Sequence, residues 1–130
     1  MECNKDSFLI SIGGGTTGDI IGFLASIYMR GINYINIPTT LLAMVDSSVG
    51  GKTGVNVANV KNLIGTFHQP HSIFMGINFL ETLNAKHIRS GIGEIIKYGF
   101  IDSKKLLNDL CDNYDCIIPV SYTHLTLPTN

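Results

Sequence analysis

The run Gly13-Gly-Gly-Thr-Thr-Gly18 constrains this chain more than any other feature. It follows Ser7-Phe-Leu-Ile-Ser-Ile12, a short apolar, β-branched run that reads as a buried strand. It precedes Asp19–Met29, where Ile20, Ile21, Phe23, Leu24, Ile27 and Tyr28 form a broad apolar helical stripe. Asp19, in the expected first turn, suits the positive end of a helix. Gly31 stops that helix, and Tyr34-Ile-Asn-Ile37 reads as a second strand closed by Pro38. Strand, helix and strand at these lengths make one βαβ unit of a parallel sheet, so the fold class is α/β.

Beyond this unit, Thr39–Val45 reads as a short helix and Asp46–Asn62 as a long loop rich in Gly, Ser and Asn. Loops longer than about 12–15 residues in compact domains are usually functional or disordered. Ser72–Met75 is a further strand candidate. Asn84 is a plausible N-cap for a helix to about Ile101, with Ile88, Ile92, Ile95 and Ile96 inward, and another helix runs from about Ser103 to Cys111. Residues 119–130 carry no formal charge and continue no periodic pattern. They resemble peptide translated from sequencing-adapter DNA and are set apart from the fold.

The 130 residues suffice for one ordinary core. With 45% hydrophobic and 15% charged residues, a disordered solvated chain is excluded. The charged share lies below the usual ~25%, so either a partner or further protein is expected over part of the surface. A net charge of -1 gives no footprint for nucleic acid or an acidic membrane. The most apolar segment, Ile20–Met29, is half of the ~20 residues that a membrane span needs. Cys3, Cys111 and Cys116 make no disulfide framework, and the N-terminus lacks the pattern of a signal peptide, so reduced thiols in a cytoplasmic protein are expected.

Gly13-x-Gly15-x-x-Gly18 matches the dinucleotide fingerprint in the right context, after a strand and opening a helix. The acidic ribose partner expected ~20 residues on is absent, and Asn33 sits near that place. On this pattern alone a plain turn and a cofactor loop are equally good readings. Asp46-Ser-Ser-Val-Gly-Gly-Lys52-Thr53 imitates a P-loop, but Asp46 occupies the first glycine's place, and its carboxylate would oppose a triphosphate. The segment's N–H groups and Lys52 suit a single phosphate better. Between Asp19 and Glu81 the only charged residues are Arg30, Asp46, Lys52 and Lys61, candidates for one anion site. Glu94 and Lys97 share a helix face at i, i+3, which from spacing alone reads as a surface ion pair. His68 and His71 read as polar loop histidines rather than metal ligands, and His87 as a helix-surface histidine.

Gly13–Asp19, Tyr28-Met-Arg-Gly31, Pro38-Thr-Thr-Leu-Leu-Ala43, Val45-Asp-Ser-Ser-Val-Gly-Gly-Lys52, Lys61-Asn-Leu-Ile-Gly65, Phe79-Leu-x-Thr82 and Gly93-Glu-Ile-Ile-Lys-Tyr-Gly99 together resemble the 3-dehydroquinate synthase family of sugar phosphate cyclases. The resemblance covers roughly residues 7 to 110. It implies part of a Rossmann-like NAD-binding domain over residues 1–83, the start of an α-helical metal and substrate domain over 84–118, and a non-family tail over 119–130. It implies a lyase using NAD and a divalent metal, zinc or cobalt. That enzyme converts 3-deoxy-D-arabino-heptulosonate 7-phosphate into 3-dehydroquinate and phosphate in the shikimate pathway, as a cytoplasmic homodimer. By resemblance, Gly15, Thr16, Thr17, Gly18, Asp19, Thr39, Thr40, Lys52, Lys61, Phe79, Leu80, Glu81 and Thr82 line the cofactor. Asp46, Lys52, Asn62 and Lys97 contact the substrate, Arg30 reaches it from a neighbouring subunit, and Glu94 is a metal ligand.

The family's two histidine metal ligands have no counterpart here. Gly76 and Asn78 replace residues that are often acidic, and Val57–Val60 departs from the family pattern. The chain is therefore expected to be an inactive fragment. A fragment of a sister sugar phosphate cyclase and a non-catalytic nucleotide-binding fragment are the alternatives. Metal-dependent alcohol dehydrogenases are disfavoured, because a simple alcohol needs no Lys/Arg cluster.

Overall fold

The computed structural model describes residues 3–113. In chain order its elements are β1 (Phe8–Gly13), α1 (Gly15–Ile27), β2 (Asn33–Pro38), β3 (Lys52–Val57), β4 (Val60–Phe67), β5 (Ser72–Ile73), α2 (Ala85–Ile101) and α3 (Lys104–Asp112). Two 3-10 turns, Tyr28–Arg30 and Ile77–Leu80, and a π turn, Ala43–Ser47, link them. The tail at 119–130 lies outside the described residues.

The expected βαβ unit is present. β1, β2 and β5 form a parallel sheet in the order β1-β2-β5, with Ser11 opposite Asn36 and Asn36 opposite Ile73. Side chains alternate across a sheet, so Leu9, Ser11, Tyr34 and Asn36 share the face that α1 covers. There Ala25, Ile32 and Tyr34 are buried, with Leu9 and Ile21 packed against them. The opposite face carries Phe8, Ile10 and Ile12 at 46%, 58% and 59% exposure. The stripe expected on α1 is split as well: Gly22 and Ala25 are buried, whereas Ile20, Leu24 and Ile27 are exposed.

The helix starts earlier than the charge pattern suggests. Gly15-Thr-Thr-Gly18 is its first turn rather than a turn before it, and Asp19 falls beyond the first turn. Glycine's low helix propensity hid this start. The segment after β2 also differs from expectation. Thr39–Val45 is not one regular helix: it turns helical at Leu41 and loosens into the π turn that carries Asp46.

The largest correction concerns Asp46–Asn62, which is not a long loop. Gly50 and Gly51 take φ of 96° and 66°, and the chain then enters the antiparallel β3–β4 hairpin. Thr53, Val55 and Val57 alternate with Gly54 and Asn56, a period-2 pattern disguised by residues usually poor in strands. Gly54 and Gly65 face each other in register, so close that a Cβ at Gly54 would lie 2.9 Å from the Ile64 carbonyl oxygen. The hairpin packs on α1 where Gly22 has no side chain: a Cβ there would stand 2.5 Å from Thr53 Cγ2.

The expected Asn84 cap is formed, and Ser103, expected as the start of the next helix, caps it. Asn84 Oδ1 accepts from the His87 N–H at 3.0 Å, and Ser103 Oγ accepts from the Leu106 N–H at 3.2 Å. Ile88, Ile92 and Leu110 make a second buried cluster, with Leu41, Leu80, Leu83, Ile95 and Ile96 against it. Leu41 and Leu80 thus tie the helices to the segments that precede them.

Candidate functional site

The start of α1 is the one helix start among α1, α2 and α3 with no side-chain cap. Gly14 precedes it in extended conformation, and the first-turn N–H groups, lacking intrahelical partners, carry partial positive charge. A cavity of about 610 Å³ opens there, lined by Gly14, Gly15, Thr16, Thr17, Asp19 and Thr40 on one side and by Asp46, Lys61 and Asn62 on the other. It is a fitted cradle: a Cβ on Gly15 would lie 2.7 Å from Ser47 Oγ, and one on Gly14 would lie 3.2 Å from Thr40 Cγ2. Thr40 Oγ1 also accepts from the Ala43 N–H at 3.2 Å, which caps the turn leading to Asp46.

A second cavity, about 640 Å³, shares Asp19, Asp46, Ser47 and Asn62 with the first and adds Lys52 and Thr53. The two therefore form one cleft. The hairpin presents Lys52, Lys61 and Asn62 to it. Asn62 is held at φ 51° by donating its N–H to Asn56 Oδ1 at 2.8 Å. The hairpin in turn is tied to α1 through hydroxyls: Thr66 Oγ1 donates to Ser26 Oγ at 2.8 Å, and Thr53 Oγ1 donates to the Thr66 carbonyl at 2.9 Å. At its exit, His68 stacks on Tyr34 with ring centroids 5.7 Å apart, and His68 Nε2 lies 2.9 Å from the Ile32 carbonyl oxygen.

α2 brings the remaining groups. Glu94 and Lys97 pair at 2.5 Å, and the next residue, Tyr98, donates its hydroxyl to Asp46 Oδ1 at 3.3 Å across 52 residues of sequence. That bond joins the Glu94–Lys97 pair to the wall of the cleft. The hydrogen bond from Lys97 to Glu94, with the carboxylate's charge, holds the ammonium above its ordinary value. Partial desolvation first, then the Asp46 and Glu94 carboxylates, push the Tyr98 phenol up. Desolvation likewise raises Asp19, against the pull of Lys61 and together with Asp46.

Asp19, Asp46, Lys52, Lys61, Asn62, Gly15, Thr16, Thr17 and Thr40 thus line the cleft, and Lys97 and Glu94 stand beside it through Tyr98. Gly18 packs behind it against Asn36, and the Thr39 N–H bonds the Gly13 carbonyl at 2.8 Å. Phe79, Leu80, Glu81 and Thr82 form the 3-10 turn and its exit and line neither cavity. Arg30 is exposed at the other end of α1, about 20 Å from Gly15 at ~1.5 Å per residue. Among the described residues no three His, Cys, Asp or Glu side chains gather into a metal-binding group. Sequence reasoning missed Tyr98, Ser47, Asn56 and the face of α2 with His87 and Ser90, all near or lining the cleft. The strand alternation around Asn56 was the available signal for one of them.

A parallel βαβ unit, with an uncapped helix start opening into a cleft of spaced cations and carboxylates, defines a Rossmann-like α/β protein. The 3-dehydroquinate synthase N-terminal profile matches residues 1–90, and the chain belongs to that family. It is 55% identical over 114 residues to the 3-dehydroquinate synthase of Sulfurisphaera tokodaii, covering 88% of this chain and 32% of that one. It is 47% identical over 129 residues to that of Helicobacter pylori, covering 98% of this chain and 38% of the relative. The chain thus spans about a third of the length of these relatives. Among solved structures, it is similar to a 2-epi-5-epi-valiolone synthase from Streptomyces hygroscopicus with NAD+ and Zn2+ bound. The TM-score there is 0.80, with 38% identity, 84% of this chain and 30% of that chain. A 2-deoxy-scyllo-inosose synthase complexed with carbaglucose-6-phosphate, NAD+ and Co2+ gives 0.71 with 34% identity over 73% of this chain and 26% of the other. No helix of the described residues is long and apolar enough to cross a membrane.

Proposed function

We propose that this chain forms the NAD- and substrate-binding part of a 3-dehydroquinate synthase acting on 3-deoxy-D-arabino-heptulosonate 7-phosphate. The observation that carries this reading is the single cleft joining an uncapped helix start to Lys52, Lys61, Asn62 and Asp46, with Lys97 beside it. The pyrophosphate of NAD fits the α1 start, where the first-turn N–H groups have no side-chain cap. When bound, NAD supplies a reversible hydride transfer at a ring hydroxyl, and the protein supplies position and charge. Lys52 and Lys97 are placed to hold phosphate and carboxylate, and Asn62 to orient a hydroxyl. Asp46 is placed to accept a proton or hydrogen bond from the sugar. Arg30, remote from the cleft, serves a second copy in a homodimer. Residues 1–83 and 84–118 act as the two domains that meet at the cleft, in a cytoplasmic enzyme of aromatic amino acid biosynthesis.

The metal is a different matter. Glu94 offers one carboxylate, already paired with Lys97, and the described residues place no two further ligands beside it. Catalytic zinc takes three protein ligands, so the described residues alone do not complete its site, and this chain alone is not expected to turn over. The solved valiolone synthase favours a sister cyclase as the second reading.

Calorimetric titration with NAD tests the first part. Binding should be measurable and should weaken about tenfold or more in Gly15→Ala, whose methyl would crowd Ser47. Absence of NAD binding would remove the reading. Titration of NAD-loaded chain with the heptulosonate phosphate and with a heptulose phosphate lacking the carboxylate tests the second part. Preference for the latter would favour a sister cyclase. Release of phosphate by the chain, dependent on NAD and zinc, would contradict its expected inactivity.

A further inference from the structure

We propose that Tyr98 is a positioning residue that fixes the direction of the Asp46 carboxylate and thereby the affinity of the cleft for a phosphorylated sugar acid. This rests on the function proposed above. Tyr98 makes two contacts with opposite charges. Its hydroxyl donates to Asp46 Oδ1 at 3.3 Å, and Lys97 Nζ lies over its ring, 5.4 Å from the centroid. Among the described residues the Asp46 carboxylate accepts no other hydrogen bond and joins no salt bridge. Asp46 sits in a π turn, an irregular piece of backbone that does not itself fix a side chain.

Without the phenol, the carboxylate would be free to turn toward the cations of the cleft. Lys52 lines the second cavity with it, and Lys97 feels its charge. An Asp46 turned onto either lysine would neutralise a cation that the substrate's phosphate or carboxylate needs. Tyr98 prevents this from both sides: one Asp46 oxygen is engaged by a neutral donor, and the Lys97 ammonium is held over the Tyr98 ring. The phenol stays protonated as a donor because desolvation and the two neighbouring carboxylates raise it. Tyr98 itself lines neither cavity and makes no hydrogen bond to the α1 start, so the contact bears on Asp46 rather than on the NAD cradle.

Tyr98→Phe removes the donor and keeps the ring, so packing and the lysine contact survive. The test is calorimetric titration of the NAD-saturated 130-residue chain with 3-deoxy-D-arabino-heptulosonate 7-phosphate, for wild type, Y98F, D46N and the double variant. Y98F should weaken sugar-acid binding about threefold to tenfold while NAD affinity stays within about twofold. In the D46N background Y98F should cost no further affinity, because its effect runs through Asp46. Wild-type sugar-acid affinity in Y98F, equal loss of NAD affinity, or losses that multiply in the double variant would each overturn the proposal. A wild-type chain that binds NAD but not the sugar acid overturns the substrate reading and this inference with it. A chain that binds neither overturns the proposed function itself.

Discussion

Gly91 of α2 faces Leu41 so closely that a Cβ on the glycine would lie 2.5 Å from Leu41 Cγ and 2.8 Å from the Leu42 backbone nitrogen. The contact seats α2 on the turn just before Asp46. Leu41 has little room to retreat, since it packs among Ile88, Ile92 and Leu110. Gly91→Ala should therefore destabilise the chain by about 1–3 kcal/mol, despite alanine's better helix propensity. Urea denaturation checks the stability. A midpoint at or above wild type would show that α2 does not depend on this approach.

The hydroxyl chain between the hairpin and α1 predicts a coupled pair. Ser26→Ala and Thr66→Val each remove one end of the 2.8 Å bond. Each should cost about 0.5–1.5 kcal/mol, and the double variant less than the sum, because the partners share one interaction. Denaturant midpoints of the four proteins supply the cycle, and strict additivity would mean the bond contributes nothing.

Asp19 gives a pH dependence whose sign follows from burial. Its folded value is raised above the ordinary 3.8, so the folded chain holds the proton more tightly than the unfolded one. Its contribution to stability is present below 3.8 and is lost as pH rises through the raised folded value. Asp19→Asn should consequently be more stable than wild type at neutral pH and equal to it in strong acid. The gain is small, because the carboxyl is only half-buried and solvent screens it. A variant less stable than wild type at neutral pH would mean that Lys61 outweighs the desolvation.

Lys97 loses stability in the same direction, with rising pH, but at the alkaline end. Its folded value is raised above 10.5 by the bond to Glu94. That stabilisation is fully present below 10.5 and disappears as pH climbs past the raised value. Glu94→Gln should flatten this alkaline decline. Thermal midpoints compared at neutral and strongly alkaline pH would show it, and an unchanged slope would place the decline elsewhere.

The βαβ unit and the helix from Asn84 were legible in the sequence because each has a local cause: a β-branched run ending at glycines, a side chain that caps, a 3.6-residue apolar period. The hairpin was not. Gly54, Gly65 and Asn62 look like loop residues in isolation, and only the partner strand and the flat surface at Gly22 make them strand positions. Of the cleft, the spaced charges Asp46, Lys52 and Lys61 stood out against an uncharged background. Tyr98 did not, since a tyrosine in an apolar helix resembles any core aromatic until Asp46 is found across 52 residues. Phe79–Thr82 shows the reverse case, a matched motif placed outside both cavities.

The bare side of the parallel sheet has a colloidal consequence. Phe8, Ile10 and Ile12 form a row of adhesive groups on a body whose net charge of -1 offers almost no mutual repulsion. Light scattering by the purified chain should therefore climb with concentration, and sulfate should sharpen the rise by strengthening apolar association. Ile10→Thr with Ile12→Thr should lower it. This face, rather than the cleft, then sets the working concentration for every titration described above.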